Sequence, residues 1–398
     1  MSNTTSNLFI RTRITWLAYF MLAYIGFSQA ILGPLMPFLR SELNLNYTQG
    51  GFFSAAIACG LILTGLFAGG LTRCIPRQIL FWSGGTLLAI GITSLSISHR
   101  FELALLATVC MGIGGSMAQV MIQAILSDQH GEQRAIALTE ANVAASLSGT
   151  LTPLVLSSLQ RAGIDWRAIA IITIIILALL SFSFRRERIP NSAPIAATAS
   201  SKAGSLPVAF WLYWIVLFFM VAAEMCLSVW STDFFISIVG LSRADAVLAF
   251  GAFPAAMLTG RFAGSQLTRS WSALTLLFSA LGLTLIGLPL FWLARIPALN
   301  ILGLFITGLG VANQYPLTMS MALSAAGEKT NQASARVTLA VGIALLSMPL
   351  TLGKLADAFG LQKAFIMIIL LMFTAFVLTI INNRSAFRKK VVTVLNVQ

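Results

Sequence analysis

Apolar segments long enough to cross a membrane alternate with short polar segments along almost the whole chain. A helix needs about 20 apolar residues to cross roughly 30 Å of hydrocarbon. The pattern predicts twelve such spans, numbered here in chain order: 14–38, 48–71, 78–97, 102–126, 136–158, 166–184, 208–236, 245–267, 271–293, 297–322, 332–354 and 363–382. Because lipid offers no partner to unpaired backbone groups, the spans are expected to be helices and the fold class to be all-α.

Landmarks of the first six spans recur in the last six at a nearly constant offset. Residues 64–69 read Thr-Gly-Leu-Phe-Ala-Gly, and residues 259–264, at an offset of 195, read Thr-Gly-Arg-Phe-Ala-Gly. Identical residues recur at an offset of 196 in four further pairs: Gly112 and Gly308, Gly114 and Gly310, Gly131 and Gly327, and Pro153 and Pro349. Secondary transporters are often built from such repeats. The sequence therefore predicts two pseudo-symmetric six-helix bundles.

The longest polar break separates the two sets of spans. Residues 185–207 begin with Arg-Arg-Glu-Arg and continue with many Ser, Ala and Pro residues. Such a composition suits a flexible tether, which would let two bundles move against each other. The predicted domains are an N-terminal bundle at 1–184, a cytoplasmic linker at 185–207, and a C-terminal bundle with a short cytoplasmic tail at 208–398.

The composition excludes an ordinary soluble domain and indicates an orientation in the membrane. Hydrophobic residues make up 58% of the chain and charged residues 9%, whereas globular domains carry about 25% charged residues. Basic residues in short loops favour the cytoplasmic side. With the N-terminus inside, 15 Lys and Arg residues fall inside and 8 outside. We therefore predict a multi-pass protein of a bacterial inner membrane, with an uncleaved first helix and both termini cytoplasmic.

The net charge of +13 does not indicate a nucleic-acid partner. The basic residues are spread over the loops that flank the spans, where they attract anionic lipid headgroups. The two histidines, His99 and His130, are expected on opposite sides of the membrane, which excludes a metal site or a histidine-assisted nucleophile. With no phosphate-binding motif either, the sequence predicts no enzyme and no cofactor, but a monomeric carrier whose partners are a small-molecule solute, protons and membrane lipids.

Short motifs and the twelve-span architecture together resemble the Major Facilitator Superfamily over essentially the whole chain. After its second helix that family usually carries Gly, three residues, Asp, a basic residue, any residue, Gly and two basic residues. Residues 69–78 keep the first Gly and Arg77, with Arg73 at the position of the acid. A closer copy, which includes Asp357, occupies 353–360 after span 11. The resemblance implies two bundles that rock around a central cavity lined by spans 1, 4, 7 and 10.

Glu224 lies near the centre of span 7, where an ionisable group facing lipid would be costly, so it is expected to face the interior. In a central cavity its carboxyl group would load and release a proton as access alternates, or serve as the counter-ion of a cationic substrate. The structural alternative is a neutral carboxyl group hydrogen-bonded to a neighbouring helix. Ser228, one turn further along, shares the same helical face.

Polar residues of the spans that the resemblance assigns to the cavity are candidates for substrate binding. Gln119 and Gln123 in span 4 lie one turn apart and offer donors and acceptors to hydroxyl, amide or carboxylate groups. Hydrogen bonding between helices is the alternative role for such amides. The further candidates in spans 1, 7 and 10 are Tyr24, Gln29, Trp230, Asn313, Gln314 and Tyr315.

Three charged residues lie within about two turns of the predicted cytoplasmic ends of their spans and suit a gate better than a binding site: Glu140, Arg261 and Arg336. The resemblance implies that spans 5 and 8 meet, so Glu140 would reach Arg261 and hold the inner side closed. Arg336 is equivalent to Glu140 at an offset of 196, although it could instead extend to the headgroups. Asp233, near the outer end of span 7, is a candidate vestibule or capping residue.

The sequence therefore predicts a secondary active transporter that moves a small polar organic solute by alternating access, coupled to protons through Glu224. One alternative is a multidrug efflux antiporter for lipophilic or cationic compounds. It is favoured by the apolar composition and by Gly149 and Pro153, which match part of a Gly-x-x-x-Gly-Pro pattern of the family's antiporters. The other alternative is a passive facilitator or a lipid-handling protein without a coupled proton.

Overall fold

Helices occupy all twelve predicted spans. The structure is a computed structural model that describes residues 9–190 and 205–395, and no strand occurs in those residues. Spans 1 to 6 are Arg13–Gln29 with Leu32–Glu42, Tyr47–Cys74, Arg77–Ile97, Phe101–His130, Arg134–Arg161 and Ala168–Ser183. Spans 7 to 12 are Val208–Ser237, Arg243–Phe250 with Ala252–Leu267, Ala273–Leu293, Pro297–Ala326, Thr330–Phe359, and Leu361–Ala364 with Ile366–Leu395.

The lengths and composition of these helices suit a bilayer. Nine helical stretches of the described residues are long and apolar enough to cross a membrane, and one of them, Phe101–Arg161, contains both span 4 and span 5. Span 6 is a shorter apolar helix. The nine stretches do not include span 10. Its helix has 30 residues, but Asn300, Asn313 and Gln314 lower its mean hydropathy.

Spans 1 and 8 are each interrupted, and in both cases the local sequence explains the break. The helix of span 1 is interrupted at Ala30 and Ile31, just before Pro34, which lacks a backbone N–H donor. Span 8 is interrupted at Gly251, three residues before Pro254. Both interruptions lie beside the space between the two halves, because residues next to them line the central cavity described below.

The sequence repeat is also a repeat in three-dimensional packing. A Cβ atom placed on Gly112 would lie 2.6 Å from the carbonyl oxygen of Ile57, and one on Gly308 would lie 2.7 Å from that of Phe253. Residues 57 and 253 are themselves 196 positions apart. Gly131 and Gly327 both follow a 30-residue helix and adopt positive φ values of 50° and 58°, which glycine tolerates without strain. The two bundles are therefore pseudo-symmetric copies of one unit.

The halves contact each other mainly through three pairs of spans, 1 and 7, 2 and 11, and 5 and 8, and span 1 also touches span 8. Small residues allow close approach at two of these contacts, because a Cβ on Gly51 would lie 2.6 Å from Leu350 Cα, and Gly33 packs against the Ser228 carbonyl group. We call the side of the molecule where span 1 begins the N-terminal face, and the other side the opposite face.

Two ion pairs of the described residues join the two halves, and both lie on the opposite face. They connect Arg40 to Asp233 and Arg161 to Asp245, at 2.6 and 2.7 Å. The other ion pairs of the described residues lie within the N-terminal half, except that Arg13 pairs with Glu187 of the predicted linker. The halves are therefore held together on the opposite face in this conformation.

The predicted linker lies largely outside the described residues. Of residues 185–207, only 185–190 and 205–207 are described, and Glu187 of the first part forms an ion pair with Arg13 at 3.2 Å. The domain boundaries at 184 and 208 therefore stay a prediction.

Candidate functional site

A cavity of about 440 Å³ lies between the two halves, at the level of the middle of span 7. Residues of spans 1, 2, 4, 5, 7, 8 and 11 line it, and none of its described lining residues belongs to span 10. Seven of its lining residues are polar or charged: Gln29, Ser54, Gln119, Ser146, Glu224, Ser228 and Arg261. The rest of the wall is apolar, which is the usual composition of a small-molecule site with a few polar groups that fix orientation.

Glu224 lines this cavity, as its position in span 7 predicts, and its side chain is half-buried. No hydrogen bond or ion pair to its carboxyl group is formed by any described residue. Arg261 is the charged residue that acts on it electrostatically. Ser228 lines the same cavity one turn further along span 7. A carboxyl group without a protein partner in such a position can bind a proton or a cationic group of a solute.

Two of the predicted amides also line the cavity. Gln29 is exposed to it from span 1, close to the backbone of Gly115 in span 4, and Gln119 lines it from span 4. Gln123 is exposed and lies one turn beyond Gln119, outside the set of lining residues. The expected pair of amides in span 4 is thus replaced by a pair that spans 1 and 4 contribute jointly.

In contrast to the prediction, Asn313 and Gln314 do not reach the cavity. The Asn313 side chain donates a hydrogen bond of 2.6 Å to the Gly260 carbonyl oxygen, which joins spans 8 and 10. Gln314 is buried and donates a hydrogen bond of 2.8 Å to the hydroxyl group of Thr284 in span 9. Span 10 is rotated so that both amides serve helix packing. Tyr315, the next residue, lies within electrostatic reach of Glu224.

Tyr24 and Trp230 are fully buried and do not line the cavity. The Tyr24 hydroxyl group donates a hydrogen bond of 3.3 Å to the Gly85 carbonyl oxygen, so it packs spans 1 and 3 together. The Trp230 indole donates one of 3.0 Å to the Pro349 carbonyl oxygen. These two aromatic side chains therefore connect helices within each bundle and do not contribute to the cavity wall.

The three candidate gate residues are not brought together in this conformation. Arg11 binds both carboxylate oxygens of Glu140, at 2.6 and 2.8 Å, and the Tyr19 hydroxyl group donates a third hydrogen bond of 2.9 Å. Arg261 instead donates a hydrogen bond of 2.5 Å to Ser146 of span 5. Arg336 is exposed on span 11. Arg261 nevertheless bridges spans 8 and 5, the pair of spans that the gate hypothesis joined.

Comparison with known proteins decides the family. A sequence model of the Major Facilitator Superfamily matches residues 18–344, which is most of the chain. The chain belongs to the Major Facilitator Superfamily. The predicted family, the all-α fold with twelve spans and the prediction of a membrane transporter rather than an enzyme are thereby confirmed.

Relatives in the superfamily resemble the chain along most of its length. An uncharacterized transporter of the same superfamily from Yersinia pestis is 22% identical over 90% of this chain and 92% of its own. A protein described as a glucose/galactose transporter from Brucella abortus is 28% identical over 86% of this chain and 87% of its own. The crystal structure of a bacterial homologue of the human lysosomal transporter Spinster has a TM-score of 0.76, at 14% identity, over 93% of this chain and 96% of its own.

The copy of the superfamily motif after span 11 performs a role that the sequence analysis did not assign. Asp357 accepts hydrogen bonds from the backbone N–H groups of Tyr47 and Thr48, at 2.8 and 2.7 Å, and one of 2.5 Å from the Thr48 hydroxyl group. It thus caps the N-terminus of span 2 from the other half, where a negative charge is favourable. One feature of the sequence pointed to this role: the acid of the motif is present in this copy, as Asp357, and absent from the copy after span 2.

A second contact on the opposite face was also missed. The guanidinium group of Arg40 binds Asp233 at 2.6 Å and lies over the ring of Tyr47, 3.4 Å from its centroid. These residues come from spans 1, 7 and 2. The sequence predicts a vestibule or capping role for Asp233, but its partner Arg40 is 193 positions away and no local pattern indicates it.

Proposed function

We propose that the chain is a secondary active transporter that moves a small organic solute by alternating access and is coupled to protons through Glu224. The observation that supports this most directly is the carboxyl group of Glu224, which lines a cavity between the halves and has no partner among the described residues. A group in that position exchanges its proton with whichever side the cavity faces, so that proton movement and solute movement share one conformational cycle.

The proposal includes an orientation and a domain organisation. Both termini lie in the cytoplasm, the bundles comprise 1–184 and 208–398, and residues 185–207 join them. The distribution of Lys and Arg over the loops supports this orientation. The cavity would then be accessible from the cytoplasm in this conformation, because the ion pairs between the halves hold the opposite face closed.

Two observations bear on the class of solute. Gln29, Gln119 and the hydroxyl groups in the wall suit a polar solute. Glucose and galactose, the sugars in the name of the Brucella relative, are solutes of this kind. The apolar part of the wall, which includes Phe250, Phe253 and Met257, favours the second candidate function, an efflux antiporter for lipophilic cations. A passive facilitator would share the cavity without using Glu224 as a proton carrier.

Transport into liposomes tests the coupling. A ligand-stability screen of the purified protein supplies a binder, because a ligand that binds only the native state raises its apparent stability. We expect uptake of that binder to increase when a pH gradient is imposed across the liposome membrane, and Glu224→Gln to abolish the increase. Glu132→Gln, a substitution of an exposed acid, is the matched control. If uptake by the unmodified protein does not depend on the pH gradient, the protein is a passive carrier instead.

A substitution in the wall separates the two coupled alternatives. A polar-solute carrier should lose most of its affinity on Gln119→Ala, because that amide contacts the solute. An exporter of lipophilic cations should tolerate Gln119→Ala and lose binding on Glu224→Gln. The ligand-stability assay measures both affinities on the same preparation.

A further inference from the structure

The cavity between the halves is lined by one acidic and one basic side chain. Glu224 contributes a carboxyl group from span 7 and Arg261 a guanidinium group from span 8. The two act on each other electrostatically, but among the described residues they form no ion pair or hydrogen bond with each other. Arg261 uses one nitrogen for its hydrogen bond to Ser146, which leaves other donors of its planar group available. An acidic and a basic side chain therefore line the same cavity without forming a direct contact with each other.

The remainder of the wall complements an apolar body. Phe250, Phe253 and Met257 of span 8 line the cavity together with Met225 of span 7. Aromatic and methionine side chains adapt well to flat or irregular apolar groups. A volume of about 440 Å³ lies within the range of pockets that hold small organic ligands.

We propose that the solute is a zwitterion with an apolar body, such as an amino acid with a large side chain or a derivative of one. This inference rests on the proposed transport function and specifies its substrate class. The ammonium group of the solute donates to Glu224, its carboxylate accepts from Arg261, and its apolar part packs on Phe250 and Phe253. A solute with only one charge would satisfy one residue and be repelled by the other, whereas a zwitterion offsets the desolvation of both.

Four probes with one aromatic body separate the contributions of the two charges. Phenylalanine is a zwitterion, phenylalaninamide a cation, N-acetylphenylalanine an anion, and N-acetylphenylalaninamide neutral. The shift in the thermal unfolding midpoint of the purified full-length protein reports binding of each probe. We expect phenylalanine to bind most tightly, by about tenfold or more over each of the others, because each charge-assisted hydrogen bond contributes about that much.

Substitutions of the two charged residues assign each contact. Glu224→Gln should remove the preference for phenylalanine over N-acetylphenylalanine, which differ in the ammonium group. Arg261→Gln should remove the preference for phenylalanine over phenylalaninamide, which differ in the carboxylate. Glu132→Gln and Arg336→Gln are the matched controls, because neither Glu132 nor Arg336 lines the cavity. Unfolding midpoints without probe establish that each variant is folded.

Three results would overturn the substrate class. They are tightest binding of the cation with no effect of Arg261→Gln, tightest binding of the neutral probe or of glucose or galactose with no effect of either charge substitution, and no stabilisation by any of the four probes. None of these results bears on transport itself. If a solute of another class is carried in response to a pH gradient, the transport proposal stands and the zwitterion proposal fails. If phenylalanine binds as described but a pH gradient does not drive it, the proton coupling fails and the substrate class stands.

Discussion

Arg40 and Asp233 form an ion pair between the halves in a buried position. Their side chains are only 17% and 6% exposed. Two of their polar atoms, Arg40 Nε and Asp233 Oδ2, have no hydrogen-bond partner among the described residues. A buried ion pair contributes little over a well-packed apolar pair, but removal of one partner leaves an uncompensated charge. The pair is therefore suited to hold the opposite face closed in one conformation and to release it in another.

We expect Asp233→Asn to destabilise closure of the opposite face by about 3–5 kcal/mol, because Arg40 would remain buried without a carboxylate partner. The reactivity of Ser54→Cys toward a membrane-impermeant maleimide added at the opposite face measures this. Ser54 lines the cavity and is buried, so the reagent reaches it from that side only when the face opens. The assay requires replacement of the native cysteines: Cys59, Cys74, Cys110 and Cys226.

The second ion pair between the halves provides the control for this prediction. Arg161 and Asp245 are 55% and 51% exposed, so solvent screens their interaction and its loss should matter little. Asp245→Asn should therefore leave the reactivity of the cysteine at position 54 nearly unchanged. Equal reactivity in the Asp233→Asn and Asp245→Asn variants would mean that the buried pair is not the contact that keeps the face closed.

At the scale of helices, the N-terminus of span 2 is bound by residues from both halves. Asn46 caps its own helix by accepting a hydrogen bond of 2.7 Å from the Gln49 N–H group. Asp357 satisfies the N–H groups of Tyr47 and Thr48, which have no partner within the helix. The carboxylate also interacts favourably with the positive end of the helix dipole. Span 2 is thus tied to the C-terminal end of span 11 by capping interactions.

We expect Asp357→Asn to weaken this tie by about 1 kcal/mol, since an amide keeps part of the hydrogen bonding and loses the charge. Reactivity of Ser54→Cys at the opposite face should increase, but less than in the Asp233→Asn variant. Asn46→Ala serves as a comparison, because it removes a cap within span 2 without a contact between the halves. If Asn46→Ala and Asp357→Asn raise the reactivity equally, the contact contributes to helix stability and not to closure.

At the scale of the whole molecule, the contacts between the halves are distributed unequally over the two faces. Toward the N-terminal face, equivalent positions of spans 5 and 11 are exposed, with Val143 at 41% and Leu339 at 47%. Each half is packed internally through repeated glycine contacts, so each is expected to move as a rigid unit. Opening of the opposite face should therefore bring these two exposed positions closer together.

Spin labels on Val143→Cys and Leu339→Cys test this movement in the cysteine-free background. We expect the distance between the labels, measured by double electron–electron resonance, to decrease when Asp233→Asn is added. Labels on Ile62→Cys and Val143→Cys lie within one half and should keep their distance. A change within the half, with none between the halves, would contradict rigid-body rocking.

The periodic features of the molecule could be predicted because they depend on local physics. In hydrocarbon each span must satisfy its own backbone hydrogen bonds, which a helix does. The cost of a charge in lipid requires Glu224 to face the interior. The offset of 196 predicted the shared architecture of the halves, and the glycine contacts of Gly112 and Gly308 repeat it. The position of Gln119 in span 4 was sufficient to place it in the cavity wall.

Other features depended on the rotation of helices and on partners far apart in the chain. Asn313 and Gln314 lie in a span expected to line the cavity, yet packing against spans 8 and 9 turns both away from it. Glu140 pairs with Arg11, 129 positions away, and not with Arg261. The sequence by itself determined which segments cross the membrane and that Glu224 faces inward, because the bilayer acts on each residue separately. The tertiary structure decided which polar groups share a cavity and which residues join the halves, because those contacts depend on how helices distant in sequence are oriented toward each other.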